Sequence, residues 1–114
     1  MTGAEQRTIK LGRTDGFRYI AFQPPLTEEE LDTMPLPETR FGGSPTRWSP
    51  YTIRHSDNSQ DLGFDATSFQ FGESFTDYAR RVAEFLGNCT LDVEVREVGP
   101  GSIIAQANGA QPKW

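Results

Sequence analysis

The sequence predicts an α+β fold, an antiparallel sheet with one short and one long helix. Three observations carry this. Thr8–Leu11 and Phe17–Phe22 are rich in β-branched and aromatic residues, as strands are. From Phe75 to Leu86 an apolar stripe recurs at the helical period. Leu91 to Arg96 alternates strictly between apolar and charged residues, the period of a half-buried strand.

The first two strands are separated by Gly12-Arg13-Thr14-Asp15-Gly16. An Asp-Gly pair between such runs predicts a hairpin, because glycine accepts the positive φ of a tight turn. Phe17, Tyr19 and Ala21 share one face of the second strand, and Ile20 and Phe22 the other. A strand apolar on both faces is central, or is covered by a subunit or partner. Pro24-Pro25 stops it, since proline has no N–H for a ladder.

Thr27 with Glu30 three residues later forms a capping box, and three glutamates suit the positive end of a helix dipole. Pro35 and Pro37 end this helix after about two turns. Residues 35–50 hold four prolines and no clear period, and are read as a long ordered loop of the kind that often carries function. Thr46 to Ser56 reads as extended, residues 56–61 as a polar loop, and Ala66–Phe71 as another strand.

Ser74 is the predicted N-cap of the long helix, with Asp77 placed to assist. Phe75, Tyr78, Ala79, Val82, Phe85 and Leu86 form its apolar stripe, and Asp77 with Arg81 can pair at i,i+4. Gly87-Asn88 supplies a left-handed stop. In the next strand Leu91, Val93 and Val95 face inward. Gly99-Pro100-Gly101-Ser102 then reads as a hairpin turn into a last strand, residues 103–107, and so not as a phosphate cradle. Without its first and last strands this order is βαββαβ, the arrangement of a ferredoxin-like sandwich with an extra strand at each end.

The 114 residues fit a single domain, read as 7–108 between a flexible N-terminus, 1–6, and a flexible C-terminal tail, 109–114. The formal charge of −5 is unevenly placed. Residues 1–54 hold seven basic and seven acidic side chains, residues 55–114 four and nine. This balance argues against direct nucleic-acid binding. One cysteine makes no internal disulfide, and no Cys/His cluster points to zinc. The polar N-terminus and the lack of a run near ~20 apolar residues give the expectation of a cytoplasmic protein with no membrane contact. No cofactor or metal is expected.

Phe22-Gln23-Pro24-Pro25-Leu26-Thr27-Glu28-Glu29-Glu30-Leu31 resembles the opening of the RuBisCO small subunit, where a strand, a Pro-Pro-Leu turn and an acidic helix start follow one another. That family is also an antiparallel sheet with two helices. The likeness is confined to this junction and ends at Pro35 and Pro37, where the family's first helix would continue.

His55 is the only histidine, and Asp57 shares its face on an extended strand, so a His–Asp pair that orients a base is one reading. An exposed histidine at a strand end is the favoured one. Cys89 has no basic neighbour in sequence to activate it and reads as structural. Asp57, Ser59, Asp61 and Asp65 place oxygens at alternate positions, but Leu62 and Ser68 stand where a calcium loop needs Gly and Glu. A solvated turn is the favoured reading.

Arg40, Arg47, Trp48 and Tyr51 combine the residue types enriched at protein contacts, and Trp114 ends a polar tail. With Asp92 and Glu94 on the acidic strand, they are the candidate partner-binding residues. The leading expectation is a non-enzymatic protein–protein interaction module, a small subunit, adaptor or regulator of a larger assembly, with its protein partner unidentified. Self-association would equally cover a second apolar face. One alternative is an acidic, phage-type inhibitor that mimics nucleic acid through Asp92, Glu94 and Glu97. The other is a small enzyme or ligand-binding domain using a cleft near His55.

Overall fold

The computed structural model describes residues 6–35, 37, 51–69, 73–99 and 101–107, with the backbone alone at 51, 68 and 107. The elements in chain order are β1 (Arg7–Arg13), β2 (Phe17–Gln23), α1 (Glu28–Thr33), β3 (Tyr51–Arg54), β4 (Gln60–Asp65), α2 (Phe75–Leu86), β5 (Cys89–Glu97) and α3 (Ile103–Ala107). A single 3-10 turn, Ala66–Phe69, follows β4.

The α+β content is as expected, but the sheet is mixed. Its order is β3-β4-β2-β1-β5. The β1–β2, β2–β4 and β3–β4 pairs are antiparallel, whereas β1 and β5 run parallel. The reason is the crossover through α2. A helix between two strands carries the chain back to the end where it started, so β5 runs in the direction of β4 and therefore of β1. The ferredoxin-like order is not what the sheet shows.

Three further expectations are corrected. Residues 103–107 form α3 and not a last strand. The Ser102 hydroxyl accepts from the Ala105 N–H, the Gln106 N–H donates to the Ser102 carbonyl, and the Gln106 amide bonds both N–H and C=O of Gly99. Ala66–Phe69 turns because Asp65 Oδ1 accepts from both the N–H and the hydroxyl of Thr67. The strand is instead Gln60–Asp65, whose start was expected to be polar loop. The remaining loop expectation, at 38–50, lies outside the described residues, as do 109–114.

β2 is central, between β1 and β4, which explains its two apolar faces. Ile20 and Phe22 join Ile9, Leu11, Leu62 and Phe64 against α2. Tyr19 and Ala21 face the other way, where Ile103 and Ile104 of α3 cover them. The sheet thus carries helices on both faces. Gly12 marks the landing point of the second layer. A Cβ there would stand 2.7 Å from Val98 Cγ1 and 3.3 Å from Ile103 Cδ1.

On the α2 face, Ser74 caps the helix by accepting from the Asp77 N–H at 3.1 Å. Phe75, Tyr78, Ala79 and Val82 are buried, and each large side chain contributes roughly 1.5–3 kcal/mol. Phe64, Phe69, Phe75 and Tyr78 form an aromatic cluster with centroids 5.1 to 5.9 Å apart. The Tyr78 hydroxyl donates to the Pro35 carbonyl at 2.8 Å, tying α2 to the chain after α1. Phe85, expected on the stripe, is 45% exposed. Arg81 pairs with Glu73, and Asp77 with Arg80, in place of the expected Asp77–Arg81 pair.

The Thr27–Glu30 capping box forms as expected. Glu30 also takes a two-pronged contact from Arg7, at 2.9 and 3.0 Å, and Arg7 donates to the carbonyls of Pro24 and Pro25 as well. Along β5 the alternation fails at one point. Leu91 pairs with Ile9 and Val95 with Leu11, so the strand bulges between them and Val93 turns out to 45% exposure.

Candidate functional site: a cleft beside the His55–Asp61 pair

Among the described residues, the face that bears α3 is incompletely covered. The short helix lies over β1 and β2, and beyond it a cleft of about 480 Å³ opens toward β3. Its walls are Tyr19, Ile53, Val98 and Ile103, with His55 and Asp61 as polar members. Thr14 and the backbone at Gly99 and Gly101 complete the rim. A largely apolar cleft of this volume with few convergent polar groups has the build of a small-molecule pocket.

A tight hairpin positions the polar pair. The His55 N–H donates to the Ser59 carbonyl and the Asn58 N–H to the His55 carbonyl, while Asn58 takes the left-handed conformation at φ 62°. His55 thus ends β3 as Gln60 begins β4. Asp61 pairs in register with Ala21 on one side and Ile53 on the other, which sets its side chain on the α3 face. His55 Nε2 stands 2.8 Å from Asp61 Oδ2. This corrects both readings of His55: the favoured one, an exposed histidine, because the side chain is only 17% exposed, and the alternative, a pair with Asp57, because the partner is Asp61. Asp57 instead accepts from the Ser59 hydroxyl, and Ser59 Oγ is 3.1 Å from Ser102 Oγ, which fastens the hairpin to the start of α3.

Asp61 is only 4% exposed. Burial pushes its carboxyl above the usual range, against the hydrogen bond and charge of His55 and the Ile103 backbone N–H, with Asp57 adding a push of its own. That N–H is near enough to favour the charge, yet Oδ1 is buried with no hydrogen-bond partner among the described residues. Asp57 moves the other way: burial raises it, but hydrogen bonds from Ser59 and Ser102 and the nearby His55 together hold it low. Burial pushes the half-buried Cys89 thiol up, and its Sγ donates to the Gly87 carbonyl at 3.1 Å.

The predicted partner residues are not assembled at this cleft. Arg40, Arg47, Trp48 and Trp114 lie outside the described residues. Tyr51 begins β3, at one edge of the sheet, whereas Asp92 and Glu94 sit on β5 at the other. The acidic hairpin of the inhibitor reading is absent because α3 replaces its second strand. Each acid also faces a cation: Asp92 lies 3.9 Å from Lys10, Glu94 3.2 Å from Arg96 and Glu97 3.4 Å from Arg13. Among the described residues no group of three or more His, Cys, Asp or Glu could hold a metal, and no helix is long and apolar enough to cross a membrane.

The chain matches no family model, no curated protein and no solved structure. The chemistry of the site itself therefore carries the functional reading. The sequence brings Asp61 forward only within the failed calcium-loop pattern and not as the partner of His55, although Ser56-Asp57-Asn58-Ser59 between His55 and Gln60 is a turn signal that brings it under His55.

Proposed function

We propose that the protein is a non-enzymatic binding module, a subunit or regulator of a larger assembly, whose recognition centre is the cleft between the β3–β4 hairpin and α3. The observation that carries this reading is the buried Asp61 carboxylate in a largely apolar cleft, one oxygen held by His55 and the other without a hydrogen-bond partner among the described residues. A buried polar atom without a partner costs about 1–3 kcal/mol, and a ligand that supplies the missing donor recovers it. Binding is favoured over catalysis because the His55 ring meets Asp61 but no hydroxyl or thiol among the described residues. The test is a fragment screen read by amide NMR shifts. The expected result is saturable shifts clustered at residues 53–61 and 98–104. Shifts scattered over the surface, or none from a broad library, would refute it.

A second reading, protein contact through β5, draws support from Val93, which is 45% exposed between Asp92 and Glu94 on an edge strand. The acidic-inhibitor alternative draws less, since its charges are set against Lys10, Arg13 and Arg96.

A further inference from the structure

We propose that the cleft selects a small organic cation, a primary ammonium or amidinium on an apolar body, which donates to Asp61 Oδ1 while its body packs on Ile53, Val98 and Ile103. This rests on the reading of the cleft as the binding site and names the ligand class it takes.

The lining of the cleft supports this choice. Apart from the nearby Ile103 N–H, the buried Oδ1 meets no donor among the described residues, so a ligand that reaches it must bring a hydrogen. His55 Nε2 takes up Oδ2 at 2.8 Å, which leaves Oδ1 as the carboxylate oxygen without a side-chain partner among the described residues. Asp57, on the same hairpin, adds to the negative field felt at Asp61. The described residues that line the cleft include no lysine or arginine to compete for the carboxylate. The remaining walls are apolar, and the volume of about 480 Å³ suits a ring or short branched chain and not an ammonium ion alone. A charge-assisted hydrogen bond is about twice as strong as a neutral one, so the cation gains more here than an alcohol of the same shape.

The experiment titrates the intact protein with benzylamine, benzyl alcohol and benzoate, followed by amide NMR. These probes share one ring and differ in charge. Benzylamine is expected to move residues 53–61 and 98–104 saturably, benzyl alcohol to bind at least about tenfold more weakly, and benzoate not to bind. Asp61→Asn should erase the preference for benzylamine over benzyl alcohol. The probe series uses the natural chain, so it decides the matter even where the variant fails to fold. If benzyl alcohol binds in the cleft as well as benzylamine, or benzoate binds better, the cation assignment is overturned and the cleft remains a binding site. If none of the three moves the cleft residues while other fragments do, the assignment again falls alone. If nothing binds there, both fall.

Discussion

Gly12→Ala tests whether α3 is seated on the sheet as described. The added Cβ would lie 2.7 Å from Val98 Cγ1. Ordinary carbon contacts need about 3.5–4.0 Å, so Val98 must retreat by about 1 Å. Ile103 Cδ1, at 3.3 Å, swings aside by rotation about its own chain. Val98 has no such freedom, because a β-branched side chain is stiff at χ1. Overpacking of this kind costs about 1–3 kcal/mol, against about 0.4–1 kcal/mol gained from the stiffer unfolded chain. At about 4–8 °C per kcal/mol for a domain this size, Tm should fall by several degrees. The assay is thermal unfolding by circular dichroism, with amide shifts to locate the disturbance at residues 98–107. Adding Val98→Ala should return part of the loss, a non-additivity of about 0.5–2 kcal/mol. A Gly12→Ala variant as stable as the natural chain, with shifts at 98–107 unmoved, would refute the packing of α3 on Gly12.

Tyr78→Phe loses the hydrogen bond to the Pro35 carbonyl and should cost about 1 kcal/mol in urea unfolding, with the aromatic cluster intact. Thr27→Ala removes the cap of α1 and should also cost about 1 kcal/mol, with early loss of exchange protection at 28–33. For Glu30, burial raises the carboxyl, but the Arg7 and Thr27 bonds outweigh it and hold the folded value below 4.5. Its stabilisation is therefore present above pH 4.5 and lost as pH falls through that lowered value, so Glu30→Gln should be the less stable protein at neutral pH and lose its deficit in acid. Asp61 has the opposite sign. Its folded value is raised above 3.8 by burial, so its cost is absent in acid and grows as pH rises through the raised value. In urea unfolding across pH, Asp61→Asn should compare better with the natural chain at neutral pH than below pH 3.8.

The elements legible in the sequence are those whose signals are local. β1, β2, α1 and α2 each announce themselves by a turn pair, a capping box or a periodic stripe, and each stands within a residue or two of its expected place. The rest depends on distant partners. Gln60–Asp65 looks polar at its start because Gln60 is buried by a bond from the Leu26 N–H to its Oε1, 34 residues away in sequence, and Asp61 by His55. Residues 103–107 have strand-like isoleucines, but Ser102 and Gln106 close a helical turn around them. Val93 alternates correctly and still points out, because β5 bulges against β1. The parallel β1–β5 pair is a property of the crossover and has no residue signature. The candidate site is half legible: His55 stands out as the only histidine and the polar run at 56–59 marks the turn, whereas Asp61 meets His55 only once that hairpin closes, and Val98 and Ile103 reach the cleft through a helix with no strong local signal.

The central claim is that the cleft on the α3 face receives a ligand at Asp61 Oδ1. A crystal of the protein soaked with aromatic amines tests it most directly. Density is expected in the cleft with a ligand nitrogen within hydrogen-bond distance of Oδ1 and the His55–Asp61 contact preserved. A protein donor already bonded to Oδ1, with the amines bound elsewhere or not at all, would contradict it.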